Sequence, residues 1–372
     1  MSSPESNPAA QPREREIEKD AGTTANRGEA AQGGGAGKRL LLVYAALLVA
    51  LVVVGGLAIS LGSVRLPLGQ VWRIVLEPVL PWIEPDWRPA RAAIVFDSRM
   101  PRVVGGVLVG AALALSGAIA QLVTGNPLAD PYLLGVSEGA GFAVSLTIVL
   151  GIGAGAVGLP LVAFLGGLTA LLIVLAVSGR SGSVTTLVLG GLAVGQVAFA
   201  MTSFVLHAFG TGDQAKQVMF WISGGLGAVR WESLPVPAAV LALGLIAAAA
   251  SGRWMNVLHS GDDAAAALGI NARVFRTCCL IAISLLAGTA VSVAGGIVFV
   301  GLLVPHAATF LVGSEAHRLL PVSALLGAVF LVLADLVARL VVAPSELPVG
   351  VLTALVGGPV FLVMLRRRRR IA

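Results

Sequence analysis

Charge is what this chain has least of. Only 12% of its 372 residues are Asp, Glu, Lys or Arg, and 57% are hydrophobic. A soluble domain carries about 25% charge, so this composition cannot cover a water-facing surface. Strict apolar–polar alternation is also missing, which excludes the strands of a membrane β-barrel. Cysteine is scarce: Cys278 and Cys279 are adjacent, with no C-x-x-C. That spacing predicts small packing residues, with no disulfide framework and no cysteine metal site. No His, Cys, Asp and Glu residues share metal-ligand spacing, so no metal or other cofactor is expected. The first 38 residues lack an apolar core of the signal-peptide kind and read as a disordered cytoplasmic tail.

What remains is a series of long uncharged runs. Each matches the roughly 20 residues that cross a hydrocarbon core as helix. They predict an all-α polytopic membrane protein with ten spans, near 40–61, 103–123, 137–153, 159–177, 187–209, 234–250, 275–293, 297–312, 320–342 and 349–365. Residues 39–372 then form one membrane domain, with a long internal loop at about 251–276. An even count puts both termini on one side. With them inside, 16 of the 25 Lys and Arg are cytoplasmic, five of them in the closing run Arg366 to Arg370. The positive-inside rule selects that orientation. One outside segment, 62–102, resists the rule with Arg65, Arg73, Arg88, Arg91, Arg99 and Arg102. Glu77, Glu84, Asp86 and Asp97 balance them in part; the segment is either solvated charge or a docking face for an acidic partner. Gly106 and Gly110 stand at G-x-x-x-G spacing, which predicts close helix packing within the chain before it predicts a dimer.

The stretch "GNPLADPYLLGVSEGAG", Gly125 to Gly141, interrupts this pattern. Pro127 and Pro131 stop helix propagation and push Asn126 and Asp130 towards extended backbone. Irregular backbone near membrane depth is tolerated only beside protein or a water-filled cavity. The stretch should therefore border such a cavity, and Ser137 could cap the span that follows. "DDAAAALG" within the internal loop favours a short helix ended by Gly269. "GGGAGKRL" is no phosphate loop: Gln32 stands where its first glycine belongs and Arg39 where Ser or Thr is needed. Asp335 lies four residues before Arg339 and can pair with it along a helix. His207, His306, Gln121 and Gln196 lie in spans, where hydrogen bonding between helices is the simplest role.

Three stretches carry a resemblance. "SRMPRVVGGVLVGAALALSGAIAQLVTGNPLADPYLLGVSEGAG", "GGIVFVGLLVPHAATFLVGSEAHRLLPVSALLGAVFLVLADLVAR" and "ELPVGVLTALVGGPVFL" resemble the FecCD-type ABC importer permeases of iron-siderophore, haem and cobalamin transport. The resemblance covers nearly all of residues 40–365, in order. It implies a type II importer permease fold of ten helices in a bacterial cell membrane. It also implies the partners: a second permease subunit, expected to be an identical chain, two ABC ATPase subunits and an extracytoplasmic substrate-binding protein. ATP hydrolysis would then lie on the separate ATPase, and this chain would be no enzyme and bind no nucleic acid.

Residue by residue, the resemblance implies that Arg99, Arg102 and Arg339 pair with acids of the docked binding protein. Asn126, Pro127 and Leu128, with Ser183, Val184 and Thr185, match the cytoplasmic gate. Gly261, Asp262, Asp263, Ala264, Ala265, Leu268 and Gly269 match the element that engages the ATPase, with Asp where the family motif has Glu. The chain departs from the family at Gly125, where a basic residue is common, and at Ala316-His317-Arg318, where Asp-His-Arg is common. The implied function is the permease of an ATP-driven importer for a bulky metal chelate, foremost a ferric siderophore. The alternative is an ion-coupled secondary transporter using Glu138, Asp335 or Glu346. A membrane enzyme would need a catalytic constellation, and the residues offer none.

Overall fold

The computed structural model describes residues 37–62, 66–80, 82–151, 158–178, 184–259, 261–343 and 345–368. The predicted tail lies almost wholly outside them. Residues 1–46 and 47–372 form separate compact units; the described part of the first, 37–46, is helical. The described residues contain helices and turns and no strand.

The described residues open with α1, Gly37–Ser60. A connecting segment follows, with α2 (Leu68–Leu76), α3 (Pro89–Ala93) and a π-helical turn, Ile94–Arg99. Next come α4 (Met100–Thr124), α5 (Val136–Leu150), α6 (Gly158–Ser178), α7 (Val184–Phe209) and α8 (Gly212–Ile222). The second half holds α9 (Pro235–His259), the short α10 (Asp262–Ala267), α11 (Ala272–Ala294), α12 (Val300–Val312), α13 (Ala316–Val341) and α14 (Val349–Arg368). Each of the ten predicted spans coincides with a helix. Seven are long and apolar enough to cross a membrane by themselves, and three apolar helices, beginning at Val136, Val300 and Val349, are shorter.

Helix α4 is the centre of the bundle: 20 of its 25 residues are buried. Lipid gives no hydrophobic drive for helices to associate, so close packing of small residues has to supply it. Gly110 lies so close to the backbone of Gly327 in α13 that a Cβ could not be accommodated, and Gly117 is in the same position against Gly301 of α12. The G-x-x-x-G spacing therefore serves packing inside the chain, as the simpler reading had it. Gln121 donates to the Leu302 carbonyl at 3.1 Å and joins α4 to α12 a second time.

The short helices reflect interruptions of the chain within the bundle. Gly125 ends α4 in the left-handed conformation, φ 62°. The chain then turns back, and Pro131 comes within 2.8 Å of where a Cβ of Gly301 would sit, a point also 3.1 Å from the Leu113 carbonyl. Leu113 lies eleven residues before the end of α4, about 16 Å along its axis at 1.5 Å per residue. The 126–135 segment is thus re-entrant. From the opposite end α8 brings Ile222 down to Gly296 and Gly141. A third break, 295–299, separates α11 from α12 and holds Phe299 at φ 68°, the one non-glycine positive φ among the described residues.

Candidate functional site

The N-terminal end of α4 carries a buried charge cluster. The π-helical turn before α4 delivers Arg99 inward, 5% exposed. Its Nη1 donates to the carbonyls of Ile59 and Ser60 at 2.8 and 2.9 Å. Arg339, 3% exposed, donates to the carbonyls of Ala58 and Leu61 at 3.2 and 3.4 Å. The last carbonyls of a helix have no partner within it, and both arginines supply donors to the last turn of α1. Arg102 spans two acids. Its Nε and Nη2 hold Asp335 at 2.9 to 3.1 Å, and its Nη1 holds Glu346 at 2.8 Å. Arg339 also lies 3.2 Å from Asp335, as its four-residue spacing predicted. The three arginines thus converge, and each has contacts within the chain. Glu346, expected from sequence only as a coupling carboxylate, is part of the same cluster.

Elsewhere in the connecting segment Arg91 donates to Gln70, near the surface. Arg73 pairs with Asp86 at 2.6 Å and stacks over Trp87 at 5.7 Å. Arg65 lies outside the described residues.

At mid-bundle the three breaks meet. The Tyr132 hydroxyl accepts from the Ile297 amide at 3.1 Å. The Gly225 amide donates to Ala294 at 2.7 Å, and the Gly350 amide to Gly224 at 3.2 Å. Gly350, at the start of α14, is pressed against the carbonyls of Ser223 and Gly296. Backbone groups freed by broken helices are in this way satisfied by other breaks, as membrane depth demands.

A cavity lies on each side of this junction. One, about 920 Å³, is bounded by Thr147, Lys216, Gln217, Phe220, Trp221 and Ser292 and is the outer one in the orientation expected from the sequence. The other, about 300 Å³, is bounded by Asn126, Asp130, Leu134, Leu187, Arg273 and Arg276 and is the inner one in that orientation. The re-entrant stretch therefore does border a cavity. Asn126 shapes its turn, accepting from the Leu128 amide at 3.0 Å. Asp130 accepts from the Tyr132 amide at 2.8 Å and starts a 3-10 turn over Pro131–Leu134. The second predicted gate segment opens α7: Ser183 lies outside the described residues, and the backbone of Val184 and Thr185 is helical. One turn on, Leu187 borders the same cavity as Asn126. Sequence reasoning placed Asp130 and Leu134 at a cavity only as members of the stretch 125–141, and it did not single out Arg276. The signal for the first two was their place between Pro127 and Gly135.

Ser137 does not cap α5. Gly135, at φ 71°, takes the capping position without a side-chain bond, and the helix begins at Val136. Glycine suits this turn twice over: its φ is left-handed, and a Cβ there would lie 2.9 Å from the Gly191 carbonyl.

The predicted helix in the internal loop is α10. Gly261 precedes it at φ 118°, and Gly269 follows at φ 73°. The Ile270 amide donates to Ala265 at 2.9 Å and the Gly269 amide to Ala266 at 3.0 Å. These two bonds form a Schellman cap. Asn271 then caps α11, accepting from the Val274 amide at 3.2 Å. Ala265 is fully buried while Leu268 is 67% exposed, so the capped turn presents Asp263 and Leu268 outward. Asp262 and Ala264 belong to the same turn of helix.

Of the other polar residues in spans, Gln121 makes its bond between helices, and His207 bonds the Ser203 carbonyl one turn back. His306 meets Phe310 edge-on at 4.9 Å. Gln196 lies on the exposed face of α7. At the family departure, the Ala316 amide is taken by Asn256 at 2.8 Å, and Arg318 pairs with Glu315 at 3.1 Å.

Comparison with known proteins adds three kinds of similarity. The sequence pattern of the FecCD transport family matches residues 47–367. The chain is 39% identical to the iron(3+)-hydroxamate import permease FhuB of Bacillus subtilis, over 84% of this chain and 80% of that one. It is 40% identical to the vitamin B12 import permease BtuC of Citrobacter koseri, over 78% of this chain and 88% of that one. The solved structure of a transporter assigned to the metal-chelate ABC type, in an inward-facing conformation, superposes with a TM-score of 0.76. It is 28% identical and covers 88% of this chain and 99% of its own.

Proposed function

We propose, because this chain belongs to the FecCD transport family and is a multi-pass ABC importer permease, that its cargo is a ferric siderophore. The observation that carries this reading is the outer cavity of about 920 Å³. Its walls offer two aromatic rings, a lysine, an amide and hydroxyls. Such groups meet the organic shell of a chelate, apolar and anionic in parts, and leave the metal to its own ligands.

In this reading a second, identical subunit completes the pathway, two ABC ATPases sit under α10 and α11, and an extracytoplasmic protein delivers cargo. Both termini face the ATPase side. Gln196, a polar residue on the exposed face of α7, favours a protein or water boundary there over lipid. Asn126, Pro127 and Leu128 close the inner mouth together with Ser183, Val184 and Thr185. Arg99, Arg102 and Arg339 form the docking charge on the outer face. Gly261, Asp262, Asp263, Ala264, Ala265, Leu268 and Gly269 engage the ATPase. Membrane insertion follows the family and the bilayer-length helices, in a bacterial cell membrane like those of its relatives.

The ion-coupled alternative is weakened by the charge cluster. Asp335 and Glu346 are both held by Arg102. Of the three candidate carboxylates only Glu138 lies outside that cluster.

The test is transport. The permease is reconstituted in liposomes with its ATPase and binding protein, and radio-iron hydroxamate and labelled cobalamin are offered separately. ATP-dependent entry of iron is expected. Entry of cobalamin alone would overturn the cargo and leave the permease role standing. Entry driven by a proton or sodium gradient without ATP would overturn the importer mechanism.

A further inference from the structure

Arg99 and Arg339 direct their donors at the last turn of α1, and two nitrogens of Arg102 are committed to Asp335, whose side chain is 4% exposed. One arm differs. Nη1 of Arg102 is held by Glu346, whose side chain is 34% exposed. Gly227 roofs this pair: its would-be Cβ lies 3.3 Å from Glu346 Oε2 and 3.7 Å from Arg102 Nη1. Of the two carboxylates on the Arg102 fork, Glu346 is the one open to solvent, so its place is where an acid arriving from outside would meet the fork.

We propose that Glu346 is a resident stand-in for the partner's carboxylate, and that docking of an acidic partner exchanges it off Arg102. The proposal rests on the docking reading above. Three arginines against two acids leave the cluster with one net positive charge, which draws a further carboxylate towards it. Replacing one carboxylate by another keeps Arg102 paired throughout, so the buried Arg102–Asp335 pair is never left open.

The exchange has a consequence inside the bundle. Glu346 lies three residues before α14, and Gly350 in the first turn of α14 is seated on Ser223, Gly224 and Gly296 at the junction between the two cavities. Glu346 on Arg102 ties the entry of α14 to α4. Its displacement unties that entry, so occupation of the outer face is relayed to the barrier between the cavities.

The experiment uses the assembled permease–ATPase complex in nanodiscs and the extracytoplasmic binding protein that co-purifies with it. Binding is measured for the native complex and for Glu346→Gln, at low and high salt. Hydrogen–deuterium exchange is followed at 345–350 with and without the binding protein. Removing the competitor should tighten binding about two- to fivefold, the scale of one partly exposed ion pair. Exchange at 345–350 should rise on docking to the native complex and be already raised in the variant. Unchanged or weaker binding by Glu346→Gln, or exchange that docking does not alter, overturns the proposal. The docking reading has its own signature: Arg102→Lys keeps the charge and loses the fork. If neither that change nor high salt weakens binding, the arginines are not the docking site. If both weaken it while Glu346→Gln fails to tighten it, docking stands and the exchange falls.

Discussion

Arg102 and Glu346 form one ion pair, yet the two residues carry unequal weight. Arg102 is the shared partner of Asp335 and Glu346, and Asp335 is buried between Arg102 and Arg339. Truncating Arg102 leaves a desolvated carboxylate with one remaining cation, a situation that costs about 3–5 kcal/mol in buried pairs. Truncating Glu346 loses a pair open to solvent on one side, worth about 1 kcal/mol or less. Arg102→Ala should therefore lower the thermal midpoint of the detergent-solubilised chain sharply, and Glu346→Gln should leave it nearly unchanged. Equal shifts for the two would mean that Asp335 is held by Arg339 alone. A similar asymmetry of packing applies at Gly117, which faces the Gly301 backbone. Gly117→Ala adds one methyl, but the atom it meets is main chain and cannot rotate away. A loss of about 1–3 kcal/mol is expected, as for other overpacked sites, read as reduced folded yield and midpoint.

Among the elements, α10 is the one whose ends are fixed by conformation more than by packing. A side chain at Gly269 would meet nothing within 4 Å, so space is no obstacle. Its φ of 73° is the obstacle, because a left-handed L-residue costs about 1–2 kcal/mol. Gly269→Ala should loosen the Schellman cap without unfolding the membrane domain. Leu268→Asp should leave the cap intact and change only the outward surface. If α10 is the ATPase contact, both lose co-purifying ATPase while the midpoint moves little. Retention of ATPase by Leu268→Asp would shift the contact to another part of 251–276.

This element was also the most legible in the sequence: acids, alanines, then glycine, each with a local reason. The ten spans were legible on the same terms, since an uncharged run has few other fates. The re-entry of 126–135 and the dip of α8 were not. Gly224-Gly225 and Gly295-Gly296 look like ordinary turn glycines, and nothing local says that two such turns stack on each other. Phe299 was invisible for the opposite reason. An aromatic residue predicts a right-handed or extended backbone; here the ring packs on Gly357 and Phe361, and the Phe299 carbonyl accepts from the Leu302 and Leu303 amides. Likewise the arginines could be counted, but the inward direction of Arg99 goes with the π-helical turn that ends at it.

At the scale of the whole molecule, two cavities lie on either side of a closed junction, and the proposed transport path runs through it. Among the described residues the closure draws mainly on backbone, with carbonyls and amides of three breaks and the first turn of α14, and the Tyr132 hydroxyl adds a side-chain bond to the Ile297 amide. Tyr132→Phe removes that acceptor and leaves a buried amide without its partner, a cost of about 1–3 kcal/mol. The penalty falls on the closed state, so openings should become more frequent. Side-specific labelling reads this directly. After Cys278 and Cys279 are replaced by serine, a single cysteine is placed at Ser292 in the outer cavity or at Thr277 in the inner one. A membrane-impermeant thiol reagent should reach each cysteine from its own side only. In the Tyr132→Phe background, without ATP, labelling of each from the opposite side should rise several-fold. If cross-labelling stays at the native level, the barrier does not depend on the 132–297 bond, and the packed glycines at 224, 296 and 350 suffice to hold it shut.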